Sequence, residues 1–205
     1  MTLLSFSRDF IFIKTRKTAG TSLEIHLAAQ CGPDDIVTPI YPAVAGHQPR
    51  NHDGYYNHMP AREIRHLQPD FVARAFKFAF ERHPVDKCLS YFAMLVHSPA
   101  HRRPDNPQSW SAYLDRGDFP VDAHLYTDQD GMLIVDRLYR YEEMDTAMRD
   151  LPLRARIGYK PLTTREKSGF RTNEIPSLDA VMADRGMRKL IFDAFASTLN
   201  HIDYV

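Results

Sequence analysis

The sequence predicts an α/β domain with a central, mainly parallel sheet flanked by helices. Short runs of apolar, β-branched and aromatic residues, typical of buried strands in parallel sheets, alternate along the chain with segments of helical character. The length of 205 residues, with 43% hydrophobic and 25% charged residues, is that of an ordinary globular domain with a sizeable core. We therefore expect residues 1–205 to form a single domain.

Strands are predicted where four short apolar runs occur. The clearest is Phe-Ile-Phe-Ile at residues 10–13, and Ala-Phe-Lys-Phe-Ala-Phe occupies residues 75–80. Two more candidates lie at residues 132–135 and 138–141. Because helical segments separate most of these runs, the sheet is expected to be mainly parallel.

Helices are predicted between the strands and after them. Gly32 and Pro33 form a stop signal for the first helix, Pro84 suits the first turn of the third, and Gly186 is expected to break the last. Residues 33–60 are rich in Pro, His, Gly and Asn and predict a long loop, which in a compact domain is often functional. The predicted helices cover residues 23–30, 60–67, 85–96, 109–115, 142–151 and 178–199.

Charge and targeting signals limit the function classes. The 26 Lys+Arg balance the 26 Asp+Glu, which argues against a general nucleic-acid or anionic-membrane binder. No run of about 18 apolar residues predicts a transmembrane helix, and residues 1–12 do not resemble a secretory signal. Cys31 and Cys88 predict two free thiols rather than a disulfide. We therefore expect a cytoplasmic protein that does not act on nucleic acid.

The segment between the first strand and the first helix has the composition of an anion-binding loop. Backbone N–H groups at a helix N-terminus favour an anion, a glycine lets the backbone approach a ligand, and hydroxyls and a lysine add donors and charge. An ordinary helix N-cap at Thr21 or Ser22 is the alternative, and the lysine precedes the glycine, unlike in a Walker A motif. The loop residues are Lys17, Thr18, Ala19, Gly20, Thr21 and Ser22.

A second candidate anion site follows the second predicted strand. Arg82 is expected at the carboxyl end of that strand, where open α/β sheets bind ligands. Ser90 lies about two helical turns into the next helix, so that one group could be held between the two side chains. An arginine that caps a helix and a serine packed within it would explain the same residues.

Together, the two segments resemble those of the sulfotransferases, a family whose members use 3'-phosphoadenosine 5'-phosphosulfate (PAPS) as donor. In that family a Lys-Thr-x-Gly-Thr-Ser type of loop, matched here by residues 17–22, cradles the 5'-phosphosulfate. A later Arg-x-Pro…Ser segment, matched by Arg82, Pro84 and Ser90, holds the 3'-phosphate. The chain looks most like carbohydrate-type and related bacterial members.

The resemblance covers about half of the chain and has two departures. Arg16 stands where the family often has proline, and His83 stands where asparagine or aspartate is more usual; neither removes a residue matched to a phosphate ligand. The resemblance implies a P-loop-NTPase-like three-layer domain that uses PAPS as co-substrate. The matched segments lie within residues 10–30, 57–95 and 135–145.

A histidine is expected to be the general base, because a hydroxyl that attacks sulfur must lose its proton near neutral pH. Asn57-His58-Met59 resembles the segment that carries the catalytic histidine in carbohydrate sulfotransferases, which favours His58, with His52 and then His47 as alternatives. All three are also explained as surface-loop residues. Their spacing fits no common zinc pattern, so no metal is expected. Lys17 would stabilise charge that develops on the bridging oxygen.

Four further expectations concern two basic residues near the loop, the basic stretch late in the chain, the acceptor and the acceptor pocket. Lys14 and Arg16 either touch the ligand or face solvent at the strand end. Residues 154–171 are rich in basic residues, and residues 167–171, with Arg171, are a counterpart of the late basic loop that often closes over the nucleotide in sulfotransferases; a solvated, flexible block is the alternative. The acceptor is expected to be a hydroxyl of a sugar, lipid or small molecule. Its pocket is either open or completed by a second subunit of a homodimer.

Two other function classes compete with a sulfotransferase. A P-loop kinase or related phosphotransferase would share the expected fold, although the sequence has neither the Walker A lysine position nor a persuasive carboxylate pair for magnesium. A non-catalytic nucleotide-binding domain is the third hypothesis.

Overall fold

One five-stranded sheet is present in the described part of the chain, residues 2–162 and 169–204 of a computed structural model. Its strands are β1 (Leu3–Ser5), β2 (Phe10–Ile13), β3 (Ile36–Val37), β4 (Phe76–Glu81) and β5 (Arg137–Arg140). Their order is β3-β1-β2-β4-β5, with β2 parallel to β4 and β4 parallel to β5. Ile13 pairs with Ala79, so the carboxyl ends of β2 and β4 meet at the same edge.

The predicted α/β architecture is confirmed, but the sheet is mixed rather than mainly parallel. β1 pairs antiparallel with β2 and with β3. The sequence did not predict the short strands β1 and β3. Residues 6–9 are the whole connection from β1 to β2, which is too short for the crossover that a parallel pair needs. The prediction at residues 132–135 is wrong, since Leu133 forms only an isolated bridge with Thr127.

The predicted helices are all present with shifted ends, and two more occur. Helices α3 (Pro69–Arg74) and α6 (Ala123–Tyr126) were not predicted, and the last predicted helix is interrupted at Asp184 and Phe195 rather than at Gly186. Asp184 ends one helix and caps the next, because its Oδ1 accepts from Met187 N at 2.9 Å. The helices are α1 (Gly20–Ala28), α2 (Ala61–Leu67), α3 (Pro69–Arg74), α4 (Pro84–His97), α5 (Trp110–Arg116), α6 (Ala123–Tyr126), α7 (Met144–Arg154), α8 (Leu178–Ala183), α9 (Arg185–Ala194) and α10 (Ala196–Leu199).

The sheet separates two apolar clusters. Side chains alternate between the faces of a strand, so Ile11 and Ile13 pack on one side with residues of α2, α3 and α6. Phe10 and Phe12 pack on the other side with residues of α1 and α7. Aromatic rings fill this second side; Phe12 and Phe78, for example, stack with centroids 5.3 Å apart. This part of the protein therefore has three layers, helices on both faces of the sheet.

The chain divides into two compact units. The first comprises residues 1–81 and 122–166 and holds the sheet; the second comprises residues 82–121 and 167–205 and is helical where it is described. The second unit has its own apolar cluster, in which α4 residues such as Leu89 and Phe92 pack with Tyr113. Among the described helices, none combines the length and apolar character needed to cross a membrane. Cys31 and Cys88 are free thiols.

Candidate active site

The loop between β2 and α1 has a backbone conformation suited to an anion. Lys17 and Ala19 are left-handed, with φ of 63° and 57°. Left-handed residues next to right-handed ones turn successive N–H groups toward one side, forming a concave nest, and the N–H groups of the first turn of α1 follow it. α1 begins at Gly20 and has Ala19 as its N-cap, without a side-chain cap among the described residues. The alternative of an N-cap at Thr21 or Ser22 is therefore wrong.

Lys14, which follows β2, sends its side chain across the start of α1. Its Nζ donates to Glu24 Oε2 at 2.9 Å, and the two side chains are only 9% and 0% exposed. A Cβ atom at Gly20 would lie 2.7 Å from Lys14 Cε, so the glycine leaves space for the lysine. The close approach at Gly20 is thus to a side chain of the protein, whereas the sequence predicted approach to a ligand. Lys14 does not face solvent, which was one of its two predicted positions.

The hydroxyl of Thr18 holds the loop in place. Thr15 Oγ1 donates to the carbonyl of Phe80 in β4. Thr18 Oγ1 lies 2.9 Å from Thr15 Oγ1 and 3.3 Å from the Thr15 carbonyl, and both threonines are buried. This hydroxyl therefore ties the loop to the end of β4, a role different from the predicted ligand contact. Thr21 and Ser22, also predicted as donors, are buried in the first turn of α1.

Arg16 is bound to a residue far along the chain. Asp122, which is fully buried, accepts from Arg16 N at 2.6 Å and from Arg16 Nε at 2.7 Å. A carboxylate that accepts from both the backbone and the guanidinium of one residue fixes that residue's conformation. Neither predicted position of Arg16, on the ligand or in solvent, included this contact. Asp122 thus sets the path of the loop one residue before Lys17.

His58 lies against the first residue of the loop. Its Nδ1 is 2.9 Å from the Lys14 carbonyl. Because a carbonyl oxygen only accepts, Nδ1 must carry the hydrogen, and in the neutral imidazole this leaves Nε2 as an acceptor. Burial, with the positive charge of Lys14, lowers the pKa of His58 to about 3. The ring is therefore neutral near pH 7, with its tautomer fixed and the unshared electron pair on Nε2. A pKa this low makes Nε2 a weaker base than an ordinary histidine.

The other two candidate histidines make different contacts. His47 Nε2 lies 3.1 Å from the Thr38 carbonyl, and His52 belongs to a turn in which its carbonyl accepts from Tyr55 N at 2.8 Å. Neither ring hydrogen-bonds to residues 14–22 within the described ranges. Of the three histidines, His58 is the one joined to the loop.

The second candidate site brings Arg82 and Arg171 together. Arg82, which directly follows β4 in the chain, donates through Nε to Asp86 Oδ2 at 2.6 Å. Arg171 NH2 donates to the Asp86 carbonyl at 2.7 Å and to its Oδ1. Burial raises the pKa of the Asp86 carboxyl, but the two guanidinium groups outweigh it and the net pKa is low. Ser90, half-buried, follows Asp86 by one turn of α4.

Three acidic partners were missed by the sequence analysis. Glu24, Asp122 and Asp86 each bind a basic residue that the sequence had singled out, and for the first two the separation is 10 and 106 residues. Only Asp86 carries a local signal, since Arg82 and Asp86 are four residues apart at the start of a helix.

Several predicted features stay untested by these contacts. Lys17 is half-exposed. Lys167, part of the predicted late basic loop, lies outside the described residues. Within the described ranges, no group of three or more His, Cys, Asp or Glu side chains is arranged to hold a metal ion.

Comparison of the chain with protein-family models, with curated proteins and with solved structures finds no match.

Proposed function

We propose that this protein is a PAPS-dependent sulfotransferase that acts on a hydroxyl acceptor. The observation that carries the proposal is the hydrogen bond from His58 Nδ1 to the Lys14 carbonyl. It joins a neutral histidine to the beginning of the loop whose backbone is suited to an anion. A proton acceptor next to an oxyanion site is what transfer of a charged group to a hydroxyl requires.

The chemistry assigns one role to each of two side chains. His58 Nε2 takes the proton of the acceptor hydroxyl while the hydroxyl oxygen bonds to sulfur. The bond between sulfur and the bridging oxygen breaks on the opposite side, and the nucleotide leaves with both electrons of that bond. The ammonium group of Lys17 offsets the charge that develops on the bridging oxygen. No metal is needed for this sequence of bond changes.

The donor is assigned through the resemblance and the local geometry of each unit. Residues 17–22 would bind the 5'-phosphosulfate, and Arg82, Ser90 and Arg171 would bind the 3'-phosphate. The loop between β2 and α1, with β4 as a parallel neighbour, also supports a P-loop-NTPase-like domain as the finer description of the fold. The acceptor belongs to the hydroxyl-bearing sugars, lipids or small molecules.

A binding competition tests the donor class. Purified protein is titrated by calorimetry with adenosine 3',5'-bisphosphate and, separately, with ATP plus magnesium. We expect the bisphosphate to bind more tightly. Preference for ATP would instead favour a P-loop phosphotransferase. If the bisphosphate binds, transfer of labelled sulfate from PAPS to a panel of glycans, phenols, lipids and alcohols measures activity, and binding without transfer to any of them favours the non-catalytic hypothesis.

Point variants test the loop. Lys17→Ala should weaken bisphosphate binding by roughly 10- to 100-fold, because one charge-assisted hydrogen bond to phosphate contributes about 1.5–3 kcal/mol. Lys189→Ala, which removes the same charge from an exposed pair with Asp193, is the matched control and should bind like the wild type. Equal affinities of the Lys17→Ala and control variants would contradict the assignment.

His58→Asn tests the base. Asparagine tolerates the left-handed conformation of position 58, φ 59°, and its Nδ2 can still donate to the Lys14 carbonyl. Turnover should fall by about 10²–10⁴-fold while bisphosphate binding stays within about twofold of the wild type. Unchanged turnover would point to His52 or His47.

A further inference from the structure

Two arginines of the second unit share one carboxylate. Arg82 Nε and NH2 both contact Asp86 Oδ2, at 2.6 and 2.5 Å, so two donors of one planar guanidinium meet a single carboxylate oxygen. Arg171 binds the other carboxylate oxygen and the backbone carbonyl of the same residue. Asp86 thus orders two long side chains from positions 89 residues apart in the chain.

The two arginines reach Asp86 from different distances along the chain. Arg82 and Asp86 are four residues apart, so that pair is local to the start of α4. Arg171 is held more broadly: Phe170 packs against the apolar cluster around α4, and Thr172 Oγ1 lies 3.3 Å from His97 Nε2 at the end of α4. The Arg171 side chain is 42% exposed, and its guanidinium group is held by Asp86.

The charge of Asp86 and its ordering of the two arginine side chains have opposite effects on the affinity for an anion. Asp86 cancels one of the two positive charges, so electrostatics alone would make it unfavourable beside an anion site. Ordering two arginines before a ligand arrives removes part of the entropy loss of binding, which is about 0.5–1.5 kcal/mol for each immobilised side chain. The acidic side chain is useful to an anion site only if the second effect exceeds the first.

We propose that Asp86 is a positioning residue that holds Arg82 and Arg171 as a two-guanidinium clamp for a phosphate monoester dianion. Asp86 holds one guanidinium group at each of its two carboxylate oxygens, and planar guanidinium donors suit a doubly charged tetrahedral oxyanion. Ser90, one turn further along α4 from Asp86, lies on the same helix face and adds a hydroxyl. The low pKa of Asp86 keeps the carboxylate charged across the working pH range.

The inference rests on the proposed function, in which this phosphate is the 3'-phosphate of the donor nucleotide. The test compares two ligands that differ only in that group, adenosine 3',5'-bisphosphate and adenosine 5'-monophosphate, by calorimetry at fixed ionic strength. The ratio of their affinities is the contribution of the 3'-phosphate. A wild-type ratio near one would overturn the proposed function and, with it, the clamp.

With a large wild-type ratio, Asp86→Asn isolates the clamp. We expect the ratio to fall about tenfold, because two arginines lose their fixed positions, while the affinity for the 5'-monophosphate stays the same. A ratio that rises or does not change would overturn the clamp and leave the proposed function standing. A general structural role of Asp86, such as its favourable position near the N-terminus of α4, would lower the affinity for both ligands alike.

A second variant keeps the test decisive if Asp86→Asn does not fold. Arg171→Gln removes a half-exposed side chain and should also lower the ratio without changing the affinity for the 5'-monophosphate. Where Asp86→Asn folds, the double variant should show less than the sum of the two effects, because both remove the same clamp. Purely additive effects, or an unchanged ratio in Arg171→Gln, would overturn the proposal.

Discussion

At the scale of single residues, the site depends on polar side chains buried around Lys14. The Lys14 carbonyl accepts from His58, and its side chain donates to Glu24. The first contact sets the tautomer of the histidine, and the second keeps the lysine inside the protein. A positive charge held close to His58 also lowers its pKa. Lys14 therefore affects both the tautomer and the pKa of His58. Measurements of stability against pH and in point variants test these contacts.

The first residue-scale prediction concerns pH. The folded pKa of His58, about 3, lies below its ordinary value of 6.5, so the unfolded chain binds more protons between these pH values. The stabilisation from a neutral His58 is therefore complete above pH 6.5 and is lost as the pH falls toward 3. His58→Asn should lose less stability than the wild type between pH 7 and pH 4.5, measured by urea unfolding. Parallel losses would contradict the lowered pKa.

A second residue-scale prediction concerns the buried ion pair. Lys14→Met leaves Glu24 buried without its ammonium partner and should lower the free energy of unfolding by about 3–5 kcal/mol. Lys189→Met breaks a mostly exposed pair with Asp193 and should cost less than about 1 kcal/mol. Chemical denaturation of both variants measures the difference. Similarly small losses of free energy of unfolding in both variants would mean that the buried Lys14–Glu24 pair contributes no more to stability than the exposed pair.

At the scale of elements, the loop between β2 and α1 keeps a conformation that local preference disfavours. Lys17 and Ala19 are left-handed, although left-handed backbone costs non-glycine residues roughly 1–2 kcal/mol. The bonds of Thr15 and Thr18 and the contact of Arg16 with Asp122 hold the loop from both ends. Strain at such positions is common in functional sites, because it keeps donors aimed before a ligand binds.

Glycine substitution tests this strain. Ala19→Gly should raise the free energy of unfolding by up to about 1 kcal/mol, because glycine has no Cβ to oppose positive φ. Ala29→Gly, at an exposed right-handed position with φ −65°, is the matched control and should lower it by about 0.5–1 kcal/mol. Thermal and urea unfolding compare the two. Destabilisation by both substitutions would show that position 19 carries no strain.

At the scale of the whole molecule, the sheet unit is organised around aromatic residues of β2 and β4. Phe78 is fully buried at the middle of β4, and its ring meets those of Phe12, Phe80 and Tyr139. Because β4 pairs with β2 and β5, it also connects the strand before the loop with the last strand. The site residues of the sheet unit depend on this core for their positions.

Truncation of the central ring tests the core. Phe78→Ala should lower the free energy of unfolding by about 3–5 kcal/mol, through lost burial and the cavity left behind. Leu153→Ala, at a side chain 84% exposed, should change it by less than about 0.5 kcal/mol. Urea midpoints give both values. A loss under 1 kcal/mol for Phe78→Ala would mean that the aromatic cluster does not organise the sheet.

The sequence predicted most elements because their signals are local. Four consecutive apolar residues marked β2, and proline at the first turn marked α4. β1 and β3 were missed because three and two residues carry too little pattern of their own, and they exist as strands through their pairing. The false strand at residues 132–135 is an apolar run in which only Ile134 and Val135 are buried, and it has no continuous partner strand.

The sequence by itself determined the α/β class and the composition of two candidate anion sites, because apolar periodicity and short motifs are properties of neighbouring residues. Only the tertiary structure decided that Lys14 is internal, that His58 is the histidine joined to the loop and that Arg82 and Arg171 share Asp86. Each of these facts is a contact between groups distant in sequence or a choice among similar side chains. Burial and hydrogen-bond geometry make that choice, and both exist only once the chain is folded.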